Sequence, residues 1–170
     1  MTQLYYDTVP FEDGLLQLLA SSKGIVFIGS PNESVSEANT YIDDPLAVAN
    51  AIKDTSITEP YIKLLTQYLS GQTTDFDTIR IDNLTVGTQL QRDVWTALRM
   101  IPYGMTCDYS TIAQNIGKPT AIRAVASAVA KNPVLIVTPC HRVIRKDGGM
   151  GGYRGGLPMK KALLKLEQRD

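Results

Sequence analysis

The chain of 170 residues is poor in the side chains that build metal centres and disulfide frameworks, with one histidine, His141, and two cysteines, Cys107 and Cys140. A structural zinc site takes about four ligands from cysteine, histidine or carboxylate. These three residues stand at no zinc-binding spacing, so no metal is expected. No apolar run approaches the roughly 20 residues of a membrane-spanning helix. The opening Met1-Thr2-Gln3-Leu4-Tyr5-Tyr6 has neither the basic start nor the long apolar stretch of a secretory leader. The expected compartment is the cytoplasm, where thiols stay reduced. The first half also has no phosphate loop, no paired catalytic carboxylates and no histidine, which argues for structural support there. No cofactor is expected.

Net charge is absent too, and a formal balance of zero would by itself argue against a nucleic-acid partner. The total hides a segregation. Residues 1–86 carry four basic and twelve acidic side chains, a balance of −8, and residues 87–170 carry thirteen basic and five acidic, a balance of +8. A basic half can neutralise phosphates while an acidic half keeps away from them. Two solvated surfaces would give the same counts.

What the chain does have is Pro139-Cys140-His141-Arg142-Val143, preceded by the apolar run Val134-Leu135-Ile136-Val137 and followed by a glycine-rich loop from Lys146 to Gly156. The apolar run reads as a buried strand that delivers a thiol beside the only imidazole, with cationic Arg142 to favour thiolate. Neighbours in an extended strand point to opposite faces, so His141 serves Cys140 only if the chain bends after Pro139 or a water bridges them. A structural cysteine beside a surface histidine fits the same pair.

Upstream, Tyr109 to Gly117 reads as a short helix stopped by glycine. Lys118-Pro119-Thr120 then opens a second helix from Ala121, closed by Asn132-Pro133. Two short helices across a glycine turn make a helix-turn-helix candidate. Between Thr120 and Lys131 the only polar side chains are Arg123 and Ser127, too few to read bases in the major groove. Such a surface suits shallow, weakly sequence-selective minor-groove contact. Arg123 could enter the base stack, or make an ordinary phosphate contact.

These residues, together with Ile101-Pro102-Tyr103-Gly104, Arg123-Ala124-Val125 and Gly152-Tyr153 with Gly155-Gly156, stand in the order and spacing of the O6-alkylguanine-DNA alkyltransferases. The chain resembles that family strongly from about Gly87 onward, and weakly over 1–86. The resemblance implies an α/β N-terminal domain, a small mixed or antiparallel sheet with helices that is ribonuclease H-like, and a mostly α, winged helix-turn-helix-like C-terminal domain carrying the reactive cysteine. The expected division is 1–82, a linker at 83–87, and 88–170. Within the first domain, strands are expected at Leu4–Phe11, Gly14–Ala20, Gly24–Gly29 and Asp77–Ile81, with helices opening at Asp44-Pro45 and at Thr58-Glu59-Pro60. In the second, Thr88 caps a helix through Met100 whose Trp95 lies on the buried stripe, and Leu157-Pro158 opens a closing helix.

The resemblance further implies single-turnover transfer of the alkyl group from O6-alkylguanine in double-stranded DNA to Cys140, with O4-alkylthymine an open second substrate. It implies that His141 acts as base through a water, that Glu167 orients it, that Asn132 supports the site, and that Tyr109 donates to the base at N3 and helps turn the nucleotide out. Arg123 would fill the space left behind, with Ala124, Ser127 and Lys131 beside it on the DNA. Val143, Tyr153, Arg154, Val129 and Gly152 would line the pocket. Arg154 departs from relatives with a small residue at that place; it would narrow the pocket or contact phosphate. A monomer is expected. Two other readings stay open on the residues alone: a recognition-only DNA-binding protein and a cysteine hydrolase, the latter needing no helix-turn-helix.

Overall fold

A computed structural model describes residues 2–83 and 86–168, folded as two compact units, Met1–Val86 and Gly87–Asp170. Of the expected linker at 83–87, Leu84 and Thr85 lie outside the described residues.

The first unit is built on a meander. Strands β1 (Tyr5–Phe11), β2 (Gly14–Ser21) and β3 (Gly24–Ile28) pair antiparallel, and the short β4 (Ile52–Lys53) adds parallel to β1, giving the order β3-β2-β1-β4. Every residue of β3 is buried, as a continuous apolar run between glycines demands. A 3-10 turn (Val35–Thr40) and α1 (Pro45–Ala49) follow, the latter capped by Asp44, which accepts from the Ala47 N–H. Ile52, soon after that helix ends, pairs in β4.

Helix α2 (Thr55–Leu69) starts well before the expected opening at Pro60 and carries that proline inside it. Asp54 caps the true start. The Thr58 hydroxyl, fully buried, donates to Asp7 Oδ2 of β1 at 2.7 Å, which ties the helix's early turns to the sheet. Proline has no N–H to give, so the helix forgoes one ladder bond there. Leu65 and Tyr68 bury the inner face. The expected strand at Asp77–Ile81 reduces to one bridge, Ile25 with Ile81, since Phe76 to Ile79 is taken up in a turn.

In the second unit, Thr88 and Gln91 close a capping box on α3 (Gln89–Arg99), whose Val94, Trp95 and Leu98 are buried. A two-residue strand β5 (Cys107–Asp108) leads into α4 (Tyr109–Asn115), and α5 (Ile122–Ala130) follows across Gly117. Gly117 has φ +75°, a conformation that costs glycine little and other residues more. Helices α3, α4 and α5 pack against one another. Trp95 is core, and its indole N–H donates to the Ala128 carbonyl at 2.9 Å, fixing α5 against α3.

The largest difference from expectation lies at Val134-Leu135-Ile136-Val137. All four are buried, yet instead of a strand Val134 makes a single bridge and Leu135 to Val137 fold as a turn, with Ile136 at φ +72°. Thr138 N–H returns to Val134 O and Cys140 N–H to Thr138 O. The chain thus enters one 3-10 turn (Cys140–Arg142) with Pro139 at its start, then β6 (Val143–Ile144), which pairs parallel with β5. Helix α6 (Leu157–Glu167) closes the unit.

The capping box generates a prediction. Thr88→Ala removes the hydroxyl that accepts from the Gln91 N–H, and should lower the stability of the second unit by about 1 kcal/mol. The check is a denaturant titration, expected to show a lower midpoint with an unchanged slope.

Candidate active site

The site is assembled on the turn at Cys140, between three loops and the end of α6. Cys140 is 5% exposed and His141 fully buried. A 3-10 turn places successive side chains about a third of a rotation apart, so the bend required after Pro139 is present.

Asn132 holds the approach to the thiol from inside. Its Nδ2 donates to Thr138 O at 2.8 Å and its Oδ1 accepts from Val134 N–H at 2.9 Å, so one buried amide clips both ends of the irregular segment before Pro139. It also hydrogen-bonds Cys140. Ile136 in the left-handed region, uncommon for a β-branched side chain, is held in place by this clip and by complete burial.

Glu167 is the acceptor at the centre. His141 Nε2 lies 2.7 Å from Oε2, and because a carboxylate only accepts, Nε2 carries the hydrogen. Arg142 donates from Nε to Oε1 at 2.8 Å and from Nη2 to Oε2 at 2.9 Å. Its Nη1 reaches Ile101 O at 2.6 Å, and the guanidinium carbon stands 5.8 Å from the centre of the Tyr103 ring. Tyr103 OH donates to Leu166 O, with a long contact from Gly104 N–H to Glu167 Oε1. The Ile101-Pro102-Tyr103-Gly104 segment therefore seats the last turn of α6, which is how a residue so far beyond the thiol in sequence is delivered to it.

The expectation that Arg142 favours the thiolate needs correction. Its charge is taken up by Glu167, and the cations that act on Cys140 are Arg154 and Lys160. Burial pushes the Cys140 thiol up; the Asn132 hydrogen bond and those two positive charges oppose it. Burial likewise pushes His141 down, against the pull of Glu167. Both groups are therefore neutral at rest. His141 Nδ1 has no hydrogen-bond partner among the described residues.

Lys160 went unnoticed in the sequence. It is fully buried, and its ammonium donates to the carbonyls of Val143 at 2.6 Å, Gly152 at 3.3 Å, and Met150. It thus joins α6 and β6 to the glycine-rich loop; burial pushes the ammonium down, and a thiolate at Cys140 opposes that. The available signal was its spacing: Lys160, Leu163 and Glu167 fall on one helix face, and that face is buried.

Tyr109 opens α4, which Asp108 caps by accepting from Thr111 N–H at 2.8 Å. The half-buried phenol is pushed up by burial first and by Cys140 second, so it remains an O–H donor. A side chain at Gly151 would put its first carbon 3.0 Å from that hydroxyl. Among the other expected pocket residues, Val143 and Val129 are buried, Tyr153 is half-buried, and Gly152 is exposed with open space beside it. Arg154 Nη2 donates to Asn132 O at 2.9 Å, turning the guanidinium back onto the clip. Arg123, Ala124 and Ser127 share the exposed face of α5, with Lys131 exposed at its end, while Val125, Ala128 and Val129 face inward.

Residues 4–83 match the ribonuclease-like domain of 6-O-methylguanine DNA methyltransferase, and residues 89–169 match the DNA binding domain of the same family. The inducible methylated-DNA--protein-cysteine methyltransferase of Bacillus subtilis is 44% identical over 166 residues, 98% of this chain and 91% of that one. The crystal structure of the Mycobacterium tuberculosis O6-methylguanine methyltransferase superposes with a TM-score of 0.80 at 34% identity, covering 98% of this chain and 93% of the other. A second structure from that organism, described as OGT in complex with DNA, gives 0.81 at 35% identity and covers 96% and 92%. Both halves of the chain match one family and its relatives span nearly the whole length: the chain belongs to the 6-O-methylguanine DNA methyltransferases.

Proposed function

We propose that this protein repairs DNA by direct reversal, moving the alkyl group of O6-alkylguanine in duplex DNA onto the Cys140 sulfur once per molecule. The observation that carries this reading is a buried thiol beside an imidazole whose Nε2–H is held by a carboxylate and whose other nitrogen has no hydrogen-bond partner among the described residues. In the reaction the Cys140 proton passes to His141 Nδ1 through a bridging water, the kind of partner a buried polar atom takes. Sγ then attacks the alkyl carbon in line, the S–C bond forms as the C–O6 bond breaks, and the electron pair leaves on guanine. The Tyr109 hydroxyl donates to N3 of the base and stabilises that leaving charge. Asn132 holds the thiol's turn, while Glu167 stabilises the imidazolium that forms transiently. No cofactor takes part.

The target atom is inaccessible inside a duplex, so the nucleotide must leave the stack, at a cost of a few kcal/mol. The exposed face of α5 approaches the minor groove, where small Ala124 and Ser127 permit close contact and Lys131 meets phosphate. Arg123 takes the vacated place in the stack. The extruded base lies between Tyr109 and the glycine-rich loop, with Val143, Tyr153, Arg154, Val129 and Gly152 around it. Binding of this kind selects the lesion and not the sequence. The acidic domain, 1–82, has a structural role and the basic one, 88–170, carries DNA binding and transfer, with 83–87 linking them in sequence. The protein works as a monomer in the reducing cytoplasm. O4-alkylthymine, which also carries an alkyl ether on an exocyclic oxygen, is the second candidate substrate.

Two outcomes are expected. Incubation with a duplex carrying O6-methylguanine should add one methyl per chain at Cys140, read by intact mass and peptide mapping, and repair should stop at one equivalent. Cys140→Ser should abolish it; an unmodified wild-type chain that still binds the lesion would favour recognition without transfer, and continued turnover would favour a hydrolase. Separately, Arg123→Ala should slow repair of duplex substrate about 10- to 100-fold, the equivalent of losing 1.4 to 2.7 kcal/mol of support for the extruded state, where about 1.36 kcal/mol is tenfold. Its reaction with free O6-methylguanine base should be unchanged, and equal slowing on both would remove Arg123 from nucleotide extrusion.

A further inference from the structure

Two ionisable side chains, His141 and Arg142, bond the Glu167 carboxylate, and of these only Arg142 is permanently charged. Glu167 is 4% exposed, Arg142 6% and His141 fully buried. Both carboxylate oxygens are occupied by the guanidinium fork, and Oε2 is shared with His141. Two-pronged guanidinium–carboxylate pairing is the strongest arrangement available to these groups.

We infer that Arg142 is a positioning residue for His141: by neutralising Glu167 it keeps the imidazole uncharged, with Nε2–H on the carboxylate and the Nδ1 lone pair open to receive a proton. The inference rests on the reading of His141 as the proton acceptor for Cys140. Its physical basis is charge balance in a buried space. The groups that face His141 are Glu167 and Lys160 from α6, and Arg142 and Cys140 from its own turn. With Arg142 present, Glu167 is already matched, and a proton on His141 would add a positive charge to a site that also holds the buried Lys160. An unmatched buried charge is costly. Without Arg142, the matching cation for Glu167 would have to be His141 itself, drawing a proton onto the ring.

This role differs from that of a bolt. Arg142 also grips Ile101 O and lies over Tyr103, so a purely mechanical function would lower the melting temperature when the residue is changed and leave the titration of His141 where it was.

Because the chain contains a single histidine, one labelled ring reports the answer without assignment. Proteins labelled with 15N-histidine, wild type, Arg142→Gln and Arg142→Lys, are titrated from about pH 5 to about 9 and the imidazole nitrogen shifts recorded. The wild type should show a neutral ring with hydrogen on Nε2 at neutral pH. In Arg142→Gln the inflection should move up by at least about one unit, a tenfold gain in proton affinity, while Arg142→Lys should stay neutral. An imidazolium in the wild type at neutral pH, or a folded Arg142→Gln that titrates as the wild type does, overturns the inference. Should Arg142→Gln fail to fold, the wild-type tautomer decides. Absence of methyl transfer by the wild type together with the expected titration would instead strike the alkyl-transfer reading and leave the role of Arg142 standing.

Discussion

The second unit depends on how the buried Glu167 carboxylate is satisfied. Three elements meet there: the last turn of α6, the 3-10 turn bearing Cys140, and the Ile101 to Gly104 connection after α3. Removing one partner of a buried, hydrogen-bonded ion pair costs about 3–5 kcal/mol, because the other charge is left uncompensated. An apolar core could pack these elements as tightly, but would not dictate which ring nitrogen carries the hydrogen. The polar cluster does dictate it, and the thiol's neighbour is thereby given one defined acceptor.

A second constraint runs through the irregular segment from Asn132 to Pro139. A strand there would have pointed Cys140 and His141 apart. Instead the backbone folds back on itself, Ile136 accepts an unfavourable left-handed conformation, and Asn132 satisfies the backbone groups that the missing sheet would have paired. The same segment begins directly after α5, the helix whose outer face carries Arg123. Trp95 anchors that helix to α3 through Ala128. The helix whose outer face carries Arg123 and the turn holding the sulfur are therefore joined by one short, clipped segment of chain.

Much of this was legible in the sequence, for identifiable reasons. The helix-turn-helix could be read because Gly117 punctuates it and the apolar positions of α5 recur at helical spacing. The caps at Asp44 and Thr88 carry their own chemistry. The motif around Cys140 carried the family, as did its companions downstream. The illegible parts were those where tertiary contacts override local preference. Four consecutive aliphatic residues read as a strand, and only the Asn132 clip turns them. Proline at position 60 read as a helix start, but Asp54 caps six residues earlier and Thr58 binds Asp7. Lys160 and Arg142 were passed over in these roles because a basic residue on a helix or beside a cysteine is ordinarily solvated; their roles come from carbonyls and a carboxylate that sequence distance conceals.

The resting state of the thiol follows from the same balance. For a sulfur this buried the thiolate is the costly species, and burial holds Cys140 towards its protonated form. Permanent activation would also be a liability in a reagent that cannot be regenerated, since any soluble alkylating agent would consume it. A neutral pair, a buried thiol and an imidazole kept uncharged by the Arg142–Glu167 clasp, allows the charge to be created as the alkyl carbon arrives. Arg154, Lys160 and Asn132 already favour that charge. The thioether that results bears none and is a very poor leaving group, so the electrostatic arrangement that assisted its formation offers nothing to reverse it. Burial thus accounts for both the selectivity of the sulfur and the finality of its reaction.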